Sequence, residues 1–169
     1  QGVDQFEKGQ AGQDWAHRSY LPIEDEGLAL AAWGESLLVV ATRSLGLRIF
    51  DTDTGRSWRC THDRNDASSL PSDRTRALLV DRSGTLWVGT ANGLAKHVPS
   101  VWAMDEHVLT ADNDAQELLF HRLTEDDDGA LRAFTSNGFY VLGKNGSVAH
   151  APVLHNGTEL QPTIIGPDG

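Results

Sequence analysis

Residues 74–98 read Arg-Thr-Arg-Ala-Leu-Leu-Val-Asp-Arg-Ser-Gly-Thr-Leu-Trp-Val-Gly-Thr-Ala-Asn-Gly-Leu-Ala-Lys-His-Val. Three short apolar runs separated by two turn signals predict three β-strands in a meander. Leu78 to Val80 end the first run, and Asp81 to Gly84 supply a tight turn with glycine where φ is positive. Thr85 to Thr90 then restart the run with β-branched and aromatic residues. Asn92-Gly93 turns the chain again, because both residues tolerate the left-handed backbone of a two-residue hairpin.

The stretch recurs. Residues Gly129 to Phe139 match Gly84 to Leu94 without a gap, 45 residues further on. A looser copy precedes it: Leu38-Val39-Val40-Ala41-Thr42 runs into Gly46-Leu47, with one extra residue in the turn. A period in the middle forties with several strands per unit predicts propeller blades rather than helical repeats. Leu86-Trp87-Val88 and Leu37 to Ala41 show no polar alternation, so these strands are expected to be covered on both faces by neighbouring blades. No segment carries a sustained helical period with caps, and little or no helix is expected.

The same register orders the rest of the chain. Gly2 to Phe6 aligns with Gly46 to Phe50, so residues 1–20 are expected to be the outer strands of an incomplete blade. Trp15, Trp58 and Trp102 recur at spacings of 43 and 44 and read as one aromatic per outer strand, while Trp87 is expected between blades. Full blades of four antiparallel strands are predicted over 28–63, 75–106 and 119–153, with residues 163–169 opening a further one. Known rings close with ~4–8 blades. The 169 residues are therefore expected not to close a ring, the missing blades coming from further sequence, other chains or further copies of this one.

Composition narrows the partners. The chain holds 24 acidic and 14 basic residues, a formal charge of −10, with no Lys/Arg cluster. Nucleic-acid phosphates and anionic lipid both demand a basic patch, so neither is an expected partner. Cys60 stands alone, which removes an internal disulfide framework and a cysteine-based zinc site. No apolar run approaches the ~18–20 residues of a membrane span. Gln1 opens no signal segment either, so any targeting or membrane segment is expected outside this sequence.

Leu70-Pro71-Ser72-Asp73 followed by Arg76 to Leu94 resembles the two-component regulator propeller repeat. The first blade departs from that pattern with Val39 for Trp87 and Ala41 for Gly89, and the third with Arg132 and Phe134 at those positions. The resemblance implies an all-β sensor region, built from seven-bladed propellers on the periplasmic side of the inner membrane. It would stand ahead of a membrane span and an intracellular kinase or cyclase, with an oligosaccharide or other small-molecule ligand. It implies no cofactor.

Chemistry beyond turns is sparse. Asp81, Gly84 and Trp87 fall one residue wide of the Asp box of sialidase-type propellers, itself a structural hairpin cap. Glu125 to Asp128 and the Asp51/Asp53 pair are oxygen donors but complete no calcium loop, and read as solvated turns rather than a metal site. The seven histidines form no metal or nucleophile motif, and His17 and His62 read as surface residues, so no catalytic residue is expected. The alternative is a propeller enzyme acting on glycans or cyclic peptides, a lyase or sialidase-like hydrolase. A ligand face is expected where second-to-third-strand turns meet the blade-to-blade loops. There Arg43, Arg64, Asn65, Asn92 and Asn137 could converge, although Asn92 and Asn137 are equally well explained as turn formers.

Overall fold

The computed structural model describes residues 1–8, 15–98, 103–107, 118–144, 146–152 and 163–165. Every element in it is a strand, so the fold is all-β. A hairpin of β1 (Gly2–Lys8) and β2 (Trp15–Pro22) comes first. The first full blade comprises β3 (Gly27–Trp33), β4 (Leu37–Thr42), β5 (Leu47–Asp51) and β6 (Ser57–Cys60). The second comprises β7 (Thr75–Val80), β8 (Leu86–Thr90), β9 (Gly93–Val98) and β10 (Ala103–His107). The third comprises β11 (Phe120–Glu125), β12 (Leu131–Thr135), β13 (Gly138–Leu142) and β14 (Val148–Pro152). Each is an antiparallel meander, the arrangement of a propeller blade.

Stacking covers both faces of the middle sheets. Leu86 and Val88 of β8 join Val39, Ala41, Leu47 and Ile49 of the first blade in one buried cluster. Trp87, pointing the other way from the same strand, packs half-buried against a second cluster that includes Phe120, Leu131 and Tyr140 of the third blade. The alternation of a pleated strand thus sends consecutive apolar residues to opposite neighbours, which explains why β8 carries no polar face.

The blades share a local design. The inner strand of each carries a bulge at the same place, where Gly27, Thr75 and Phe120 face Thr42, Thr90 and Thr135 before the register shifts. Those three buried threonines each donate Oγ1–H across the next turn, to the carbonyls of Gly46, Gly93 and Gly138 at 2.8, 2.9 and 2.9 Å. Thr90 pairs with Gly93 and Thr135 with Gly138, so the two-residue loops are Ala91-Asn92 and Ser136-Asn137, one position earlier than the Asn-Gly reading. The glycines open the following strands, at φ of 143° and 139°, where a side chain is strained.

Two expectations are corrected. Gln5, which aligns with Ile49, faces Ser19, whereas Ile49 faces Trp58 and Trp15 lies opposite Lys8. Trp15 and Trp58 are therefore not equivalent, because the longer β1–β2 hairpin does not keep the spacing of β5–β6; Trp15 is 65% exposed and Trp58 half-buried. Trp102 lies outside the described residues. Finally, β15 (Thr163–Ile165) does not open a new blade: it pairs antiparallel with β14 as a fifth, outer strand of the third sheet. The open edge of β14 offers unpaired backbone groups that a β-branched segment can satisfy.

Candidate functional site

The second-to-third-strand turns and the blade-to-blade loops share one side of the stack. Gly46 N–H donates to the Asp73 carbonyl at 2.8 Å, and Ala91 N–H to the Arg74 carbonyl at 2.9 Å. Asp73 also takes the His62 N–H on Oδ1, at 2.7 Å. Within the loop, Asp63 Oδ1 accepts from Asn65 N–H and Asp66 Oδ1 from Ser68 N–H, both at 2.9 Å, so its course is set by successive Asx turns.

The five nominated residues occupy this side in different ways. Arg43 Nε donates to Glu26 Oε2 at 2.6 Å, an exposed pair joining the turn to the segment before β3. Arg64 and Asn65 are exposed in the 61–74 loop. Asn92 turns its amide onto the Pro71 carbonyl at 3.1 Å. Asn137 accepts the Thr135 hydroxyl at 2.6 Å and reaches Tyr140 Oη at 3.2 Å. The amides of Asn92 and Asn137 thus serve the turns, and none of the five lines the cleft of about 460 Å³ beside β1 and β3 or that of about 480 Å³ between the second and third blades.

On the opposite side the first hairpin turns meet. Asp81 Oδ1 accepts from Ser83 N–H, Ser83 Oγ and Thr85 N–H, and its Oδ2 accepts the Trp87 indole N–H at 2.8 Å. Partial burial works to raise the Asp81 pKa, and these hydrogen bonds outweigh it, leaving the carboxyl below its usual range. The third blade repeats the device with different chemistry: Asp126 accepts the Ala130 N–H at 2.8 Å and pairs with Arg132, the residue in the Trp87 position. Asp51 likewise spends Oδ1 on the N–H groups of Asp53 and Thr54. Among the described residues no group of three potential metal ligands occurs.

Side chains tie these turns together. Trp33 Nε1–H donates to the Gly84 carbonyl at 3.0 Å, from first blade to second. The Arg82 guanidinium donates to the carbonyls of Asp126 and Asp127 at 2.8 and 3.0 Å, and Arg82 N–H donates to Glu125 Oε2 at 2.8 Å. Sequence reasoning missed this role of Arg82. The only signal is the 45-residue alignment, which sets Asp81-Arg82 level with Asp126-Asp127.

Four histidines are held in structural contacts, while His121 is exposed on β11. His17 pairs with Asp4, His62 Nδ1 lies 2.6 Å from the Leu70 carbonyl, His97 packs edge-on to Trp33, and His150 stacks on Tyr140.

A blade of this register, capped by Asp81 on Trp87, has a known counterpart. Residues 69–92 match the family model described as two component regulator propeller. The repeat spans the loop before β7 and the first hairpin of the second blade. The fold is also that of solved propellers. The extracellular domain of what is described as a hybrid two component system from B. thetaiotaomicron matches 89% of this chain at TM-score 0.63 and 17% identity. A second such domain from the same organism matches 92% at 0.57 and 16%. A streptogramin B lyase matches 82% at 0.60 and 16%. The chain spans 24%, 23% and 45% of those proteins' lengths, respectively. No curated protein sequence matches it.

Proposed function

We propose that the chain is a ligand-sensing propeller module of a membrane-anchored bacterial signalling protein, on the periplasmic side of the inner membrane and part of a seven-bladed ring. Its ligand is a carbohydrate or another small molecule, and its own residues perform no catalysis. The observation that carries this reading is the regulator propeller repeat at 69–92, seated in a blade of matching register. The likeness to extracellular domains of hybrid systems supports it at the level of fold.

The lyase likeness makes an enzyme the second reading. Against it stand four of the seven histidines: His97 is buried beside Trp33, and His17, His62 and His150 each have a structural neighbour. Incubating the chain with a panel of glycans and cyclic peptides, and following bound ligand and released products by mass spectrometry, separates the two. Binding without turnover is expected. Turnover abolished by changing His62 or His121 would overturn the sensor reading.

A further inference from the structure

On the side where the first hairpin turns meet, the second and third blades leave a cleft of about 480 Å³ between them. Small-molecule sites run from ~300 to 1,000 Å³, so one or two sugar rings fit. Trp87 and Lys96 form the wall from the second blade, Leu131, Leu142 and Lys144 that from the third, and Arg82 stands at the edge. We propose that this cleft binds a sugar bearing a carboxylate or a sulfate. The site lies on the opposite side of the stack from Arg43, Arg64, Asn65, Asn92 and Asn137. It names a ligand class for the sensing role proposed above, but its chemistry does not depend on that role.

The walls are preorganised. Asp81 pins the Trp87 indole, and the Lys96 ammonium lies 5.7 Å from the ring centroid, so cation and aromatic surface enter the cleft together. Lys144 reaches it by crossing Gly129. A Cβ at that glycine would fall 2.4 Å from Lys144 Cε and 2.7 Å from Nζ, and φ of 77° already favours glycine there. The missing side chain makes room for the lysine.

Charge points the same way. Both carboxylates lining the cleft are engaged, Asp81 by Trp87, Ser83 and Thr85, and Glu125 by the Arg82 N–H. Among the described residues neither Lys96 nor Lys144 has a carboxylate within ion-pairing distance; Asp105 is the register partner of Lys96 on β10. In a chain of net charge −10, the fold has brought the ammonium groups of Lys96 and Lys144 to one cleft, while the Arg82 guanidinium at its edge is held by the Asp126 and Asp127 carbonyls. An aromatic and aliphatic wall suits the C–H face of a pyranose, and ammonium groups suit an anionic substituent.

Calorimetry on the full chain tests this with trigalacturonate, a sulfated galactose trisaccharide and neutral galactotriose. The Trp87 indole N–H resonance is followed alongside. At least one anionic probe is expected to bind and shift that resonance, with galactotriose at least about tenfold weaker and affinity falling as salt rises. Which anionic probe binds tells carboxylate from sulfate. The K96M/K144M variant keeps the aliphatic stems and is expected to lose at least about tenfold, while K96R/K144R keeps the charge and stays within about threefold. Equal affinity for galactotriose, an unmoved indole resonance with both anionic probes, or undiminished binding by K96M/K144M would overturn the proposal. Binding is read on the chain itself, so those failures concern this site. A complete signalling protein that binds the sugar and does not respond would instead sink the sensing role.

Discussion

Changing Gly89 to alanine isolates the fit between the second and third blades. A Cβ on Gly89 would lie 2.6 Å from Phe120 Cγ and 2.8 Å from its Cβ and Cδ1. Ordinary carbon contacts begin near ~3.5 Å, so the methyl intrudes by roughly 1 Å. Phe120 is 2% exposed and the contact includes its Cβ, so a rotation of the ring does not relieve it. Overpacking of this kind costs ~1–3 kcal/mol, and a Gly to Ala change at an unstrained φ returns ~0.4–1 kcal/mol through the unfolded chain. A net loss of about 1–2 kcal/mol is expected, read as a urea midpoint lowered by about 0.5–1 M with the slope unchanged. The first interface shows the remedy: Ala41 occupies the Gly89 position where the facing inner-strand residue is Thr75 instead of Phe120. In a Phe120→Thr background, Gly89→Ala should therefore cost less than in the parent, a coupling that a double-mutant cycle measures. An unchanged or raised midpoint for G89A, or full additivity with F120T, would refute the steric argument.

Asp81→Ala removes the acceptor for the Trp87 indole and the turn N–H groups, and a loss of about 1–3 kcal/mol in urea unfolding is expected, with a shifted indole N–H resonance. Burial lowers the pKa of His97 from its ordinary 6.5, so the unfolded chain binds the proton more readily. That stability is complete above about pH 6.5 and lost as pH falls through the folded value; urea midpoints between pH 7.5 and 5 should show the slope, and H97Q should flatten it. Burial, with Asp73 adding to it, pushes the Cys60 thiol up to about 11. Thiol titration at pH 8 should find Cys60 slow in the native chain and fast in urea.

The turns and blades were readable from residues 74–98 and their copy, because glycines at positive φ and β-branched runs act locally. Gly46, Gly84 and Gly129 have φ of 71°, 84° and 77°. What escaped depends on contacts between units. The β1–β2 register could not be taken from the Trp15 to Trp58 spacing, since hairpin length is free to vary while the aromatic count is kept. The complement of Gly89 and Phe120 joins residues of different blades, and no pattern within one repeat reports it. For the candidate site, the shared side of the turns was legible and so was the turn-forming alternative for Asn92 and Asn137; which carbonyl or hydroxyl each amide finds was not, because that partner lies outside the local pattern.

The ties between first hairpin turns have a direction. Trp33 and Arg82 reach from one blade to main-chain carbonyls of the next, at Gly84, Asp126 and Asp127. A carbonyl is present whatever residue carries it, so the receiving turn can change its side chains and still be held, as long as its path is kept. The giving residue has no such freedom. For these carbonyl ties, tolerance to sequence drift is therefore one-sided along the stack: the giving blade must keep its Trp33 or Arg82, whereas the receiving turn supplies its path, with the Glu125 carboxylate on the Arg82 N–H the one side chain that answers back.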